Sequence, residues 1–512
     1  MLLGVDVGSS GCKALVFDEE RRMTVGRGSS AYAAQTPFVG ALELDPEHVW
    51  ESVVSSIRQA AQEAGCRRLQ GLSIVSAGLA VLPVDKWGNP LSNIMLPGDR
   101  RAVDEAEAIA AALSPDSIYS VTGITAHALY GIPKYTWVKR CRPDLFKRTS
   151  KFLSLDTYVQ MRMGLEPTFD ATMACRTLAL DINQRAWWSE ALKHAGLSPD
   201  MLPALGNASQ PLGVLSDPVS SALGLEQGAI VYLGCHDQTA ANLGAGGLSE
   251  GVLTASLGTM DGLCLAFSES IRQGALMKSS LFTYPHVLSG IYHTLAMLPG
   301  IGVLPRWISS LVSGGGSIVN GILESGPKSP AASGGSFLLP YLIGSPTPSL
   351  NPLAKGVIWG LTIGTTPEQL IQGVLDGAAL EARRNLELLR RHGFRWNQIR
   401  ATGGGSRWSG LMQLRADVTG EPWAIMPESE ASALGAVILA GLGSGAFDSE
   451  AEAYSICGAP HRICYPDQEA HAGYEELYHQ YLEVAEFAEA HTRFRQQGTE
   501  PAVLGEGGNA ER

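Results

Sequence analysis

The chain has 512 residues, 45% hydrophobic and 17% charged, which allows two to four domains with large cores and excludes global disorder. Its formal net charge of −12 disfavours unselective binding to nucleic acid or to an anionic membrane. An anionic nucleotide must therefore be held by local donors, against the field of the whole chain.

The first element in chain order is LLGVDVGSSGCKALVF, Leu2 to Phe17. Two apolar runs flank the small turn Gly8-Ser9-Ser10, the signature of two strands joined by a tight turn. Next, Pro46 to Gly65 carries Val49, Trp50, Val53, Val54 and Ile57 on one face of a helix. Gly71 to Ser76 and Leu79 to Asp85 read as strands, the second closed by the turn Trp87 to Pro90. A helix is expected from Ala102 to Leu113. Lys151 to Leu155 and Ala229 to Leu233 are further strands. The alternation implies α/β layers. At Gly251 to Phe267, GVLTASLGTMDGLCLAF repeats the opening pattern with Gly258-Thr259 at its turn. Thr366-Pro367-Glu368-Gln369 is a capping box opening a long helix, which Gly393 can stop. The strand Gln398 to Thr402, the run Gly403-Gly404-Gly405 and a helix through Leu411, Leu414 and Val418 follow. Ala433 to Gly443 reads as a packed Ala/Gly-rich helix, and Gln496 to Arg512 as a disordered tail.

Eight cysteines form no Cys-x-x-Cys pair, so there is no zinc or redox signature. The N-terminus lacks a basic leader and no apolar stretch is long enough to span a bilayer. A cytoplasmic protein is expected.

Several constellations carry chemistry. Glycine lets backbone approach a ligand closely, and turn N–H groups and hydroxyls can face a phosphate. Two such turns a domain's length apart suggest a duplicated unit pinching one nucleotide. Asp6, at the end of the first strand, can hold Mg²⁺ through water, and Lys13 adds positive charge; the plain alternative is a β-hairpin with an Asp at its bend. Gly234-Cys235-His236-Asp237-Gln238 follows a strand and opens a helix, so Asp237 is either a proton acceptor projecting into a cleft or a helix cap. Cys235 reads as a small buried residue and His236 as a structural histidine. The turn Gly403 to Arg407 can lie against a purine or a phosphate, but it is neither a Walker loop nor a dinucleotide fingerprint.

Together these pieces resemble the FGGY carbohydrate kinases of the actin/hexokinase/heat-shock ATPase superfamily. The likeness spans nearly all of residues 1–460. It rests on Asp6-x-Gly8-Ser9-Ser10, Asp99-Arg100-Arg101, Gly234 to Gly246, Ser256 to Met260, Phe337 to Pro348 and Thr402 to Gly420. The resemblance implies two ribonuclease-H-like α/β domains flanking a cleft. Residues 1–246 would bind the sugar and carry the base, 247–460 would bind the nucleotide, and 461–495 would be a helical extension. It implies ATP and Mg²⁺ as cofactors, with Asp237 as general base and Asp6 organising the metal. Ser9, Ser10, Gly11 and Lys13 would face the terminal phosphates, with Gly258 and Thr259 opposite. Gly302 and Arg306 would contact the nucleotide, and Gly404, Gly405 and Ser409 would line its adenine side. Ser76, Asp99, Arg100, Asp237 and Gln238 would meet the sugar, while Arg101 is expected to point to solvent. The departures from the family pattern cluster on the sugar side: Ser76 to Leu79 offers one hydroxyl, a usual tryptophan is replaced around Pro97-Gly98, and Gly344 to Pro348 reads Gly-Ser-Pro-Thr-Pro.

The expectation is an ATP-dependent kinase for a small sugar or polyol, with a xylulose-like ketose first and gluconate, glycerol or erythritol as alternatives. A homodimer is left open. The rival from another class is a non-catalytic sugar or nucleotide sensor, which would be expected to lose Asp237 or Asp6; both are present. A nucleotide-driven chaperone or filament protein would need a peptide-binding domain beyond the second half, and none is evident.

Overall fold

The computed structural model describes residues 1–248, 251–258, 260–268, 274–326, 330–342, 344–351 and 353–498. The opening apolar runs form β1 (Leu2–Val7) and β2 (Gly11–Asp18), paired antiparallel with Asp6 opposite Lys13. Strand β3 (Met23–Ala31) extends the hairpin. On its other edge β1 takes β4 (Gly71–Ser76) in parallel. All six residues of β4 are buried, as expected of a parallel strand covered on both faces. Strands β5 (Pro211–Val214) and β6 (Ile230–Tyr232) complete a six-stranded sheet of order β5-β6-β4-β1-β2-β3.

The second copy of the pattern builds a second sheet by the same rule. Strands β7 (Val252–Ser256) and β8 (Met260–Phe267) form the antiparallel hairpin. Strands β9 (Tyr284–Pro285) and β10 (Tyr292–Pro299) lie beyond β8. Strand β11 (Gln398–Thr402) runs parallel to β7 and β12 (Trp423–Ile425) parallel to β11, with β13 (Arg462–Cys464) closing the edge. The order is β9-β10-β8-β7-β11-β12-β13. In both sheets the first hairpin strand is central and receives the next strand in parallel through a crossover, so the duplication read from the sequence is a duplication of topology.

Helix α1 (Pro46–Glu63) starts at Asp45, whose carboxylate accepts the Glu47 N–H at 2.8 Å, and buries Val49, Val53 and Ile57. Helices α2 (Asp237–Gly244) and α5 (Ala431–Ser444) pack on each other, and α5 also packs on β1. Backbones touch there. A Cβ on Gly4 would fall 2.0 Å from the Ala433 carbonyl oxygen, and one on Gly435 2.1 Å from that of Ala240. The Ala/Gly composition of α5 is thus a requirement of close approach.

Two strands begin or end differently from expectation. The strand expected from Leu79 starts at Leu82, because Leu79 turns through the left-handed region at φ 72°. The strand from Lys151 stops at Leu153, because Ser154 and Thr157 form a capping box that opens a helix at Leu155.

The chain divides into two compact units, the first made of Met1–Ala296, His392–Arg407 and Pro422–Cys464. Both sheets, apart from the end of β10 from Met297, belong to it with α1, α2 and α5. The second comprises Met297–Arg391, Trp408–Glu421 and the chain from Tyr465 onward. It holds α3 (Pro367–Arg391), α4 (Ser409–Thr419) and α6 (Gln468–Gly498). The Thr366 box forms as expected: Thr366 N–H donates to Gln369 Oε1 at 2.9 Å, and Gln369 N–H to Thr366 Oγ1 at 3.3 Å. Helix α6 continues to Gly498, past the expected start of the tail, and residues 499–512 lie outside the described residues. No described helix is long and apolar enough to cross a membrane.

Candidate active site

The first hairpin turn is closed by Gly8 N–H donating to the Gly11 carbonyl at 2.9 Å, and Tyr32 Oη donates to the Gly8 carbonyl at 2.6 Å. Ser9 and Ser10 are left exposed at its tip. Lys13, directly opposite Asp6 in the hairpin register, ion-pairs with Glu430 at 2.5 Å. Asp6 is the last residue but one of β1, its Oδ1 enclosed and, among the described residues, without a hydrogen-bond partner. Burial first, then the charge of Asp237, pushes its carboxyl up to about 8, against the pull of Lys13. A carboxylate enclosed this way fits a cation held partly through water. Among the described residues no three His, Cys, Asp or Glu side chains gather into a metal cage, so waters and phosphate oxygens would complete the shell.

Asp237 stands on α2, and its side chain is 20% exposed. The cap position belongs to His236, whose Nδ1 accepts the Gln238 N–H at 3.3 Å; the same N–H reaches Asp237 Oδ1 at 2.6 Å. An accepting Nδ1 requires the proton on Nε2, and Nε2 faces Asp237 Oδ1 at 3.4 Å. Burial holds His236 well below its usual range, hence neutral. Burial raises Asp237 to about 6, with the Gln238 N–H and Arg176 pulling the other way. A carboxylate that ionises near neutrality has the properties of a general base.

At the second hairpin, Gly258 N–H donates to Asp261 Oδ1 at 3.1 Å, and among the described residues a Cβ on Gly258 would meet only the Met260 carbonyl oxygen, at 3.8 Å. Thr259 lies outside the described residues. The glycine run adjoins this turn: Leu257 N–H donates to Thr402 O at 2.9 Å and Gly405 N–H to Leu257 O at 3.1 Å. Gly404 is exposed and Gly405 buried. Gly403 has φ 86°, and a Cβ there would sit 2.3 Å from the Leu257 oxygen. Glu430, at the start of α5, connects the two turns, pairing with Lys13 and standing 3.9 Å from Arg407.

On the acceptor side, Ser76 is fully buried; its Oγ donates to the Ala77 carbonyl, and its N–H to the Cys235 carbonyl, both at 3.3 Å. The tip of β4 is thereby tied to the loop carrying Asp237. Gln238 reaches toward the second sheet, its Oε1 2.8 Å from where a Gly262 Cβ would be. Asp99 is 2% exposed and accepts from Leu42 N–H at 2.9 Å and from Arg101 Nη2 at 2.6 Å. Arg100 is exposed, its N–H on the Gly40 carbonyl.

Arg101 corrects the expectation that it points to solvent. Its side chain is 8% exposed, pairs with Glu43 at 2.8 Å as well as Asp99, and lies 4.9 Å over Trp137. Two carboxylates and an aromatic face offset the loss of water around the guanidinium. Two more buried cations escaped the sequence reading. Lys134 Nζ donates to the carbonyls of Leu79 and Leu96 at 2.7 and 2.8 Å, and burial lowers it to about 7. Arg176 lies under Gly78, whose Cβ would be 2.6 Å from His236 Cδ2 and 3.1 Å from Arg176 Cγ. A lone arginine in the apolar run Met173 to Leu180 was the one available signal for it. Asp261, inside the second hairpin, was likewise passed over.

Gly302, Arg306 and Ser409 belong to the second unit. Gly302 and Arg306 are exposed at the start of the helix Leu304–Leu311. The Ser409 hydroxyl donates to the Glu324 carbonyl at 2.6 Å.

The chain matches two family models: the N-terminal domain of the FGGY family of carbohydrate kinases over residues 1–244, and its C-terminal domain over residues 323–444. It is 27% identical to the xylulose kinase of Escherichia coli over 423 residues, covering 82% of this chain and 85% of that one. It is 24% identical to the gluconokinase of Bacillus subtilis, covering 90% and 91%. Among solved structures, a xyloylose kinase from Brucella ovis superposes with a TM-score of 0.83 at 27% identity, covering 95% of this chain and 99% of that one.

Proposed function

Since the chain belongs to the FGGY family of carbohydrate kinases, which are phosphotransferases with an alcohol group as acceptor, we propose that it transfers the γ-phosphoryl group of ATP to a hydroxyl of a xylulose-like ketose, with Asp237 as general base. The observation that carries this reading is the setting of Asp237: a partly enclosed carboxylate, raised to about 6 by burial, at the start of α2 where the adjoining His236 bridges to Ser76, and close enough to Asp6 for their charges to interact.

In the reaction the acceptor O–H bond breaks and its proton passes to Asp237. The electron pair stays on oxygen, which bonds to the γ-phosphorus as the bond to the ADP oxygen breaks. Phosphoryl transfer of this kind needs positioning and charge neutralisation more than covalent help. Ser9, Ser10 and Gly11 would receive the terminal phosphates from one side and Gly258 with Thr259 from the other. Asp6 would hold Mg²⁺, which when bound neutralises charge on the phosphates. Gly302, Arg306, Gly404, Gly405 and Ser409 would contact the rest of the nucleotide. In functional terms residues 1–246 serve the acceptor and 247–460 the nucleotide. Lys13 already has a partner in Glu430, so its part with phosphate would require exchanging that pair.

The ketose assignment is supported by the xylulose kinases among the relatives, and the gluconokinase keeps an aldonate as the second acceptor. The test is ADP release over a panel of ketoses, polyols and aldonates. Turnover with a ketulose above all others is expected. An aldonate preference replaces the substrate, and no turnover with any member favours a non-catalytic sensor.

A further inference from the structure

Arg176 sits on the turn Cys175–Thr177, after the short helix Ala171–Ala174. That segment is fixed to the loop of the base: Thr172 Oγ1 accepts the His236 N–H at 2.8 Å and donates to Asp170 Oδ1 at 2.8 Å. The side chain is 5% exposed. Among the described residues its Nε and Nη2 meet no hydrogen-bond partner, and no carboxylate forms an ion pair with it. The guanidinium Cζ lies over the Tyr284 ring, 3.8 Å from its centroid. An aromatic face offsets only part of the cost of burying an ion. A buried arginine normally has a carboxylate to itself, as Arg101 has Asp99 and Glu43.

Arg176 and His236, the neighbour of Asp237, close on the same point, a Cβ on Gly78 falling 3.1 Å from Arg176 Cγ and 2.6 Å from His236 Cδ2, and the carboxylate whose charge Arg176 meets there is Asp237. The other groups around it do not compete for that role. Asp6 on β1 is raised to about 8 by burial and by the charge of Asp237, His236 and His293 are held neutral by burial, and Tyr130 and Tyr284 are held protonated. Lys13 is taken up by Glu430.

We propose that Arg176 is a positioning residue for the reaction: its buried guanidinium, seated on Tyr284 and without a carboxylate of its own, supplies the counter-charge that keeps Asp237 ionised, the form able to take the proton of the acceptor hydroxyl. The proposal rests on the reading of Asp237 as base. It gives Arg176 no contact with the nucleotide, and so predicts an effect on kcat rather than on the KM for ATP.

Steady-state kinetics of the full chain test it with Arg176→Met, Arg176→Lys, Asp237→Asn and the double variant Asp237→Asn/Arg176→Met. Arg176→Met is expected to lower kcat roughly 10- to 100-fold, a part of the 10²–10⁴ that a general base contributes, with the KM for ATP within about twofold of wild type. Arg176→Lys keeps the charge and should recover most of the loss. The double variant should be no slower than Asp237→Asn alone, since without the carboxylate the counter-charge has nothing to act on. Should Arg176→Met fail to fold, Arg176→Lys paired with Asp237→Asn decides: whatever loss the lysine leaves must vanish in the asparagine background. The proposal is overturned if Arg176→Met keeps wild-type kcat, if lysine rescues nothing, or if the two losses multiply. Wild-type turnover in Asp237→Asn would instead sink the base reading itself.

Discussion

Replacing Gly258 by valine separates a ligand-facing glycine from a structural one. Gly258 is not in the left-handed region, and among the described residues a Cβ there would meet only the Met260 carbonyl oxygen, 3.8 Å away. The fold therefore accepts a side chain at this position, and the melting temperature of Gly258→Val should stay within a few degrees of wild type. The space that valine fills is the space the reaction assigns to phosphate. Losing one or two charge-assisted contacts removes about 1.5–3 kcal/mol, which raises the Kd for ATP and ADP about 10- to 150-fold. Gly403→Ala is the control. Its Cβ would lie 2.3 Å from the Leu257 oxygen at φ 86°, so that variant should lose about 1–3 kcal/mol or more of stability. Calorimetric titration of nucleotide and thermal melting read the two effects separately. Normal nucleotide affinity in a well-folded Gly258→Val would remove the second hairpin from the site.

Asp99→Ala leaves Arg101 buried with Glu43 as its remaining carboxylate; it should cost about 1–3 kcal/mol in urea unfolding and raise the KM for the sugar more than that for ATP. A stable variant with unchanged KM values would take Asp99 out of both roles. Asp237 works as a base only when ionised, so kcat should rise between pH 5 and 7 about the value near 6; a flat profile down to pH 4.5 contradicts it. The same carboxyl affects stability with the opposite sign. Its folded pKa lies above the ordinary value of 3.8, so its contribution is complete below pH 4 and is lost as pH rises through about 6. Asp237→Asn, which cannot ionise, should lack that decline.

The readable parts of this protein are those written in neighbouring residues. The paired hairpins, the glycine run after β11, the Thr366 box and the carboxylate opening α2 each depend on a handful of consecutive positions. What escaped depends on distant partners. Arg101 looked like a surface arginine because Glu43 and Trp137, which bury it, are remote in sequence. Lys134 spends its charge on two carbonyls that no side-chain pattern announces. Arg176 carried a local signal, a charge inside an apolar run, but its meaning came only with Tyr284 and Asp237 around it. The Ser154 box was missed because threonine stands where the usual glutamate or glutamine would be.

The account turns on one carboxylate, and the most direct measurement is ADP release by Asp237→Asn with the best acceptor, beside calorimetric ATP affinity. The account predicts turnover roughly 10²–10⁴-fold below wild type with ATP binding unchanged. A variant that binds ATP normally and keeps most of its turnover would contradict it, leaving Asp237 as no more than a first-turn residue of α2.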